Sequence, residues 1–245
     1  MPSPSEQATR ACVLERFFSA LLWVSCLVTF IVAVSLYIAL SLIITPARLH
    51  SVARVGCRVI LASAGQRVRV SGAFPSVEGG PYIYVFNHTS LLDTFIMVSV
   101  LPEFVGAIGK REQFQMPLWG WALRRWGAVP ISRDRLQDAI NSLGEVERSV
   151  LAGRSLLIAP EGTRSPDGAL GPFRKGPFHV ALNTGAPVIP VRITGAYEAK
   201  SRGDWVLRSG RIDVHILEPV LSAEHDAHDV TGLRDEVRAR FEAAG

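Results

Sequence analysis

The stretch Tyr82-Ile83-Tyr84-Val85-Phe86-Asn87-His88-Thr89-Ser90-Leu91-Leu92-Asp93 decides the fold. Its first five residues are aromatic or β-branched, the composition of a short buried strand. Four small or polar residues then break the run. Leu91 and Leu92 open a helical pattern over 91–101. A strand that exits through a polar turn into a helix is the repeating unit of an α/β domain.

The same texture recurs outward from this point. Strand-like runs fall at 68–70, 104–108, 128–131, 156–159, 188–193 and 212–217. Helical patterns lie near 112–125, 136–151 and 175–184. In 230–243, Val230, Leu233, Val237 and Phe241 make one apolar stripe. These runs predict an α/β fold: a mixed central sheet flanked by helices. No internal repeat and no low-complexity tract is present.

The N-terminal quarter has a different character. The first ten residues are polar and carry Pro and Ser, so fraying is expected there. No charged side chain occurs from 17 to 47, and Arg16 and Arg48 flank the gap. A helix over 17–44 would be about 40 Å long, enough to cross a hydrocarbon core of about 30 Å. A signal peptide fits poorly, because the apolar run is too long and no small-residue cleavage site follows. Over 47–61, apolar Leu49, Val52, Val59 and Ile60 alternate with Arg48, Arg54 and Arg58. That pattern predicts an interfacial amphipathic helix. The expected division is an anchor over 1–64 and a catalytic domain over 65–245. The basic excess after the apolar helix puts the bulk of the chain on the cytoplasmic side. A hairpin buried in one leaflet satisfies the same residues.

The chain has 245 residues, 48% of them hydrophobic, and a net charge of +4. The mean hydropathy of +0.24 and pI near 9.2 fit a basic protein with an apolar anchor. Such a balance favours anionic lipid headgroups as partners. It does not favour nucleic acid, because Lys and Arg are scattered and no finger, zipper or RNP pattern occurs. The three Cys are Cys12, Cys26 and Cys57, all in or beside the apolar region. The catalytic part therefore has no disulfide framework, thiol nucleophile or Cys-based zinc site.

Four clusters carry chemistry. His88 and Asp93 follow a strand's carboxyl end, where open α/β sheets bind ligands. His titrates near neutrality and can take a proton from a hydroxyl. With His88 in the loop and Asp93 in the first helical turn, the carboxylate is within reach of one imidazole nitrogen. That is the His–Asp half of a triad, with the substrate hydroxyl as nucleophile. In isolation the pair reads more readily as a turn residue and a helix cap, because the spacing is short and common.

The run Pro160-Glu161-Gly162-Thr163-Arg164-Ser165 again turns a strand into a polar loop. Arg164 offers a planar fork of donors suited to phosphate, and Thr163 and Ser165 add hydroxyls. Phe173-Arg174-Lys175-Gly176 places cations at a loop–helix junction that suits an anion. Arg133 and Lys110 each end a strand-like run. Taken singly, Arg133, Lys110 and the cations of 173–176 read as solvated surface charges, and Arg164 reads equally as one or as a phosphate ligand. His225 and His228 have zinc-like spacing, yet no third ligand cluster accompanies them. A solvated linker is the better reading there.

Together, these residues resemble the glycerolipid acyltransferases of the 1-acyl-sn-glycerol-3-phosphate acyltransferase type. The resemblance covers about residues 66–220 and the apolar anchor. It rests on Asn87-His88 through Asp93, Arg133, Glu161 to Ser165, Phe173 to Gly176 and Ala186-Pro187-Val188-Ile189-Pro190-Val191. It implies that His88 is the general base for a lysolipid hydroxyl and that Asp93 holds its tautomer. It also implies phosphate contacts from Arg164, Arg133 and Lys110, with Thr163, Ser165 and Lys175 beside them. Asn87, Glu161 and Gly162 are expected as structural members of the motifs. The implied donor is acyl-CoA or acyl-carrier protein, the acceptor is a lysolipid, and no metal or bound redox cofactor is expected. The implied location is a membrane, with the inner membrane of a bacterium as the expected one.

Two departures stand out. Arg174 replaces the commoner Lys, and Pro177 follows where a small residue is usual, putting the start of that helix in doubt. The aromatic run Met116-Pro117-Leu118-Trp119-Gly120-Trp121, with Trp126, suits an acyl tunnel, a membrane interface or a packed core. Rival readings change the acceptor to lyso-ornithine lipid, another lysophospholipid or glycerol 3-phosphate. A hydrolase is disfavoured because no Gly-x-Ser-x-Gly elbow occurs. A non-catalytic lipid-binding protein would have no use for the His88–Asp93 pair.

Overall fold

The computed structural model describes residues 4–131 and 136–244, with side chains over 13–131 and 142–244. Two helices come first, α1 (Pro4–Ser41) and α2 (His50–Ser63). Then follow β1 (Gln66–Ser71), β2 (Ile83–Phe86), α3 (Asp93–Val100), β3 (Gly106–Lys110), α4 (Trp119–Trp126) and β4 (Val129–Ile131). The second half adds α5 (Leu136–Leu151), β5 (Leu156–Ile158), α6 (Gly176–Thr184), β6 (Val188–Thr194) and α7 (Ala196–Ala199). β7 (Gly210–Ile216) and α8 (Val230–Ala243) complete the chain.

The strands form one seven-stranded sheet in the order β1-β7-β6-β2-β5-β3-β4. β6, β2, β5, β3 and β4 run parallel, while β7 is antiparallel to β6 and β1 runs parallel with β7. The sheet is therefore mixed, as the sequence predicts. β2 sits between β5 and β6, and all four of its residues are buried. Tyr84 and Phe86 enter one core cluster, while Ile83 and Val85 enter the other. Residues two apart share a face of the sheet, so a strand covered on both sides feeds two cores. The Tyr84 core is closed by α1, α2 and α3, and the Ile83 core by α5, α6 and α8.

Local chemistry explains the differences from the sequence reading. α1 begins at Pro4, inside the stretch expected to fray. Pro is well tolerated in a first helical turn, where its missing N–H has no helical partner anyway. The single helix expected over 112–125 is two pieces, a 3-10 turn (Arg111–Gln115) and α4. Pro117 breaks them apart: Met116 before it is extended, at ψ 133°, as a residue preceding Pro prefers. Gly120 has no alternative, because a Cβ there would lie 2.3 Å from the Phe114 carbonyl oxygen. Pro177 is no obstacle to α6, because it lies in the first turn.

The apolar face expected on α2 is divided. Ile60 and Leu61 enter the core, Val52 borders an apolar cavity, and Val55 and Val59 face outward. Arg58 Nε donates to the Ser99 carbonyl at 3.1 Å, and His50 Nε2 meets the Leu101 carbonyl at 3.1 Å. The Arg58 guanidinium thus reaches a carbonyl at the end of α3, where the helix dipole favours positive charge. Burial lowers the His50 imidazole pKa, an effect the Leu101 contact opposes.

Within α1, the segment Val13–Ser41 is long and apolar enough to cross a membrane, with mean hydropathy 2.4. This apolar N-terminal helix indicates membrane association. Its other face is docked along the sheet domain. Glu15 pairs with Arg208 at 2.7 Å, Ser19 Oγ accepts from Leu207 N at 2.8 Å, and Trp23 Nε1 donates to the Trp205 carbonyl at 2.7 Å. Further along, Phe30 packs on Phe95 and Trp119, and Tyr37 on Trp126.

Candidate active site

The chain leaves β2 at Asn87, and Asn87 extends the sheet by one step. Its Nδ2 donates to the Ile193 carbonyl at 2.9 Å, and its Oδ1 accepts from Ile193 N at 2.7 Å. The side-chain amide thus imitates a strand backbone, and the loop beyond it starts from a fixed point.

His88 is held at its main chain by the neighbouring turn after β5. Its N–H donates to Glu161 Oε1 at 2.8 Å, and its carbonyl accepts from Ser165 N at 2.7 Å. Its Nδ1 lies 2.8 Å from Asp93 Oδ2. The same oxygen accepts from Thr89 N and Ser90 N, each at 2.8 Å. Three donors on one oxygen suit an ionised carboxylate. They also set the imidazole tautomer: Nδ1 carries the proton and Nε2 the lone pair. Asp93 is 0% exposed and His88 26% exposed at the side chain. The Phe86 ring stands edge-on to the imidazole at 5.9 Å.

The second turn is built around Glu161 and Gly162. Glu161 is buried, and its Oε2 accepts from Gly171 N at 3.0 Å. Burial raises its carboxyl pKa, while the His88 and Gly171 N–H groups draw it back. Gly162 has φ 72°, and a Cβ there would lie 2.7 Å from Arg174 Nε. Backbone conformation and crowding both favour glycine. Thr163 is exposed and Arg164 half-buried. Ser165 is buried, with Oγ donating to Asp167 Oδ1 at 2.9 Å.

The remaining predicted residues are looser neighbours. Lys175 is exposed at the start of α6, next to Arg174, whose N–H donates to the Pro160 carbonyl at 2.9 Å. Lys110 is exposed at the end of β3, on the same edge of the sheet as His88. Among the described residues, no hydrogen bond or ion pair joins Lys110 or Lys175 to the His88 loop. Arg133 lies outside the described residues. No group of His, Cys, Asp and Glu able to hold a metal occurs among the described residues. His225 instead meets Glu236 at 3.1 Å.

Sequence reasoning missed the segment 200–204. Ser90 Oγ donates to the Lys200 carbonyl at 2.9 Å, and Arg202 Nη1 donates to the Arg164 carbonyl at 3.4 Å. Burial first, and the Arg164 charge second, lower the Lys200 ammonium pKa. Nothing in Lys200-Ser201-Arg202-Gly203-Asp204 distinguishes it from a surface turn, so no sequence signal marked it.

An apolar cavity of about 110 Å³ lies on the α1–α4 side of the sheet. Thr94, next to Asp93, lines it together with Tyr37, Gly56, Phe95, Trp119 and Trp126. The aromatic run thus divides by residue: Trp119 and Trp126 wall the cavity, while Trp121 is 61% exposed. The arrangement combines a proton acceptor at Nε2, a guanidinium in the adjoining turn and an apolar space beside the His–Asp pair. It can activate a hydroxyl beside an anion and an apolar chain.

The fold matches the crystal structure of the 1-acyl-sn-glycerophosphate (LPA) acyltransferase PlsC from Thermotoga maritima. The TM-score is 0.82 over 94% of this chain and 95% of that one, at 24% sequence identity, a likeness of fold. The family follows from sequence: the Acyltransferase family model matches residues 67–194, and the chain belongs to that family. Curated relatives include the chloroplastic 1-acyl-sn-glycerol-3-phosphate acyltransferase BAT2 of Brassica napus, 37% identical over 66% of this chain. The 1-acyl-sn-glycerol-3-phosphate acyltransferase alpha of Ovis aries is 35% identical over 71% of it. The matched stretch spans 45% and 61% of those two relatives' lengths.

Proposed function

We propose that this protein transfers a fatty acyl group to the free hydroxyl of 1-acyl-sn-glycerol 3-phosphate, forming phosphatidic acid. The observation that carries the proposal is the bond between Nδ1 of His88 and buried Asp93, which leaves Nε2 to accept a proton. In the proposed reaction Nε2 takes the hydroxyl proton as the oxygen attacks the thioester carbonyl of acyl-CoA or acyl-carrier protein. A tetrahedral oxyanion forms and collapses, breaking the C–S bond. The imidazolium returns its proton to the departing thiolate. Asp93 stabilises the imidazolium during this cycle. Arg164 holds the acceptor's phosphate, with Thr163, Lys175, Lys110 and Arg133 as further contacts. Glu161, Gly162 and Asn87 shape the loops, and Ser165 contributes through its main chain. The cavity beside Thr94 receives acyl chain. The names of the curated relatives support this substrate class.

We place residues 1–64 as the anchor and read α1 as lying in one leaflet on the cytoplasmic side. The sheet domain accompanies α1 from Glu15 to Tyr37, about 33 Å of helix and the full thickness of a hydrocarbon core. Were α1 to cross the bilayer, the Trp205 turn and the α3–α4 region packed along it from Trp23 to Tyr37 would enter hydrocarbon beside it, which irregular backbone resists. The outward Phe17, Phe18, Leu21 and Val24, with Val55 and Val59 of α2, meet lipid without that cost.

The test uses the full chain in detergent with labelled acyl-CoA, repeated with acyl-carrier protein. Lysophosphatidic acid, lysophosphatidylcholine, lyso-ornithine lipid and glycerol 3-phosphate are offered in parallel. Turnover confined to lysophosphatidic acid supports the proposal. Preference for another acceptor overturns the acceptor assignment, and no transfer from either donor overturns the enzyme reading.

A further inference from the structure

Residues 200–208 connect α7 to β7 and belong to none of the recognised motifs, yet they touch both halves of the candidate site. Ser90, two residues past His88, donates its hydroxyl to the Lys200 carbonyl at 2.9 Å. Arg202 donates from Nη1 to the Arg164 carbonyl at 3.4 Å. That bond sets an exposed guanidinium directly beside Arg164.

The segment is internally braced. Lys200 Nζ donates to the Ser201 carbonyl at 2.6 Å and to that of Asp204. Asp204 accepts from Val206 N at 3.0 Å and from Arg208 at 3.1 Å. From outside, α1 grips it with three side chains on one stripe: Glu15 on Arg208, Ser19 on Leu207 and Trp23 on Trp205. Those residues are four apart, so they share a helix face. The opposite stripe presents Phe17, Phe18, Leu21 and Val24 outward.

Three cationic residues lie together in this corner of the site. Arg164, Lys200 and Arg202 converge, and Asp204, the carboxylate that acts on Lys200, is already bonded to Arg208. A phosphate monoester carries roughly −1.5 to −2 charges at neutral pH and three acceptor oxygens, enough to engage several cationic donors at once. Arg202 has five N–H donors and uses one on the Arg164 carbonyl.

We infer that Arg202 is a further ligand of the acceptor's phosphate, brought to Arg164 by a loop that α1 holds in place. The inference rests on the reading that Arg164 binds that phosphate. It makes α1 part of acceptor recognition as well as of attachment. The loop that carries Arg202 meets α1 along Glu15 to Trp23 through Trp205, Leu207 and Arg208. Both the acceptor and a CoA donor carry phosphate, so the two are varied separately in the test.

Steady-state kinetics of the full chain would compare wild type, Arg202→Gln, Arg202→Lys and Trp23→Phe, titrating lysophosphatidic acid and acyl-CoA in turn. Arg202→Gln should raise the acceptor KM about tenfold, the loss of one charged hydrogen-bonding partner. Its kcat, donor KM and melting temperature should hold. Arg202→Lys should recover part of the affinity, and uncharged monoacylglycerol should respond equally to wild type and Arg202→Gln. Trp23→Phe removes only the indole N–H and should shift the acceptor KM the same way, non-additively with Arg202→Gln. An unchanged acceptor KM in an otherwise active Arg202→Gln protein would overturn the inference and leave the activity reading standing. A rise in donor KM alone would overturn it by moving the phosphate to the donor. If wild type acylates no lysophosphatidic acid, the activity reading fails and the inference falls with it.

Discussion

Glu161 Oε1 accepts the main-chain N–H of His88 at 2.8 Å, while Oε2 accepts that of Gly171 at 3.0 Å. One buried carboxylate thus ties the His88 loop to the Arg164 turn and to the 171–176 segment. Replacing Glu161 by Ala leaves two part-buried N–H donors without their acceptor, at a cost of up to about 1–3 kcal/mol each. The expected result is a lower melting temperature together with a fall in kcat, because the imidazole loses its main-chain support. Circular dichroism melts and initial rates measured in parallel check this. Unchanged values for both would refute the role.

His88→Ala should lower kcat by on the order of 10²–10⁴, the usual contribution of a general base. Folding and vesicle binding should be intact, because the His88 ring is partly exposed and outside both core clusters. Asp93→Asn should also lose activity, since the imidazolium loses its counter-charge. Near-normal turnover in folded His88→Ala protein would sink the mechanism.

Gly56 lines the cavity, and a Cβ there would meet only Ala33 Cβ, at 3.6 Å. Gly56→Ala should therefore be accepted. Gly56→Leu should fill space meant for chain, shift the products toward shorter acyl groups and cost about 1–3 kcal/mol through overpacking. Mass spectrometry of products from mixed-length donors reads the shift. An unaltered chain-length profile in a stable Gly56→Leu protein rules out the cavity as acyl site.

Single-leaflet attachment predicts that both ends of α1 lie on one side of the membrane. In a Cys-free background, Val13→Cys and Ile43→Cys should both react with an impermeant maleimide from the cytoplasmic face of inverted vesicles. Labelling of the two sites from opposite faces would establish a spanning helix instead.

Asp204 gives the 200–208 loop an acid limit. The Val206 N–H foremost, with Arg208 behind it, holds the Asp204 carboxyl pKa below the ordinary carboxylate value. A carboxyl lowered by folding contributes stability above its unfolded pKa, about 4, and loses that contribution as pH falls through its folded pKa. Wild type should therefore melt above Asp204→Asn at neutral pH. The gap should begin to close below about pH 4. A gap that stays constant into strong acid would show that Asp204 acts otherwise.

The legible part of this protein is local. A buried run such as Tyr82 to Phe86 has strand composition whatever lies beside it, so the seven strands and the helix over 230–243 could be read directly. The loops after β2 and β5 could be read as chemistry because their residue types and spacing are short-range properties. Local rules also explain the failure over 112–125, where Pro117 outweighed a helical pattern.

Other features depend on what packs against what. A sequence pattern does not separate Ile60, which enters the core, from Val59, which faces outward; the position of α1 and α3 does. The motif order reveals neither that Glu161 bonds to the His88 main chain nor that the Ser165 hydroxyl turns to Asp167. The apolar composition of 17–47 is the same for a helix that crosses a bilayer and for one docked on a domain. Only the tertiary contacts of Glu15, Ser19 and Trp23 show that this helix packs on the sheet domain. Sequence by itself determined the fold class, the His–Asp pair and the apolar anchor, because composition and short spacing encode them. Only the tertiary structure decided that the anchor shares a core with the sheet and that Arg202 stands beside Arg164, because contacts between distant residues arise from packing.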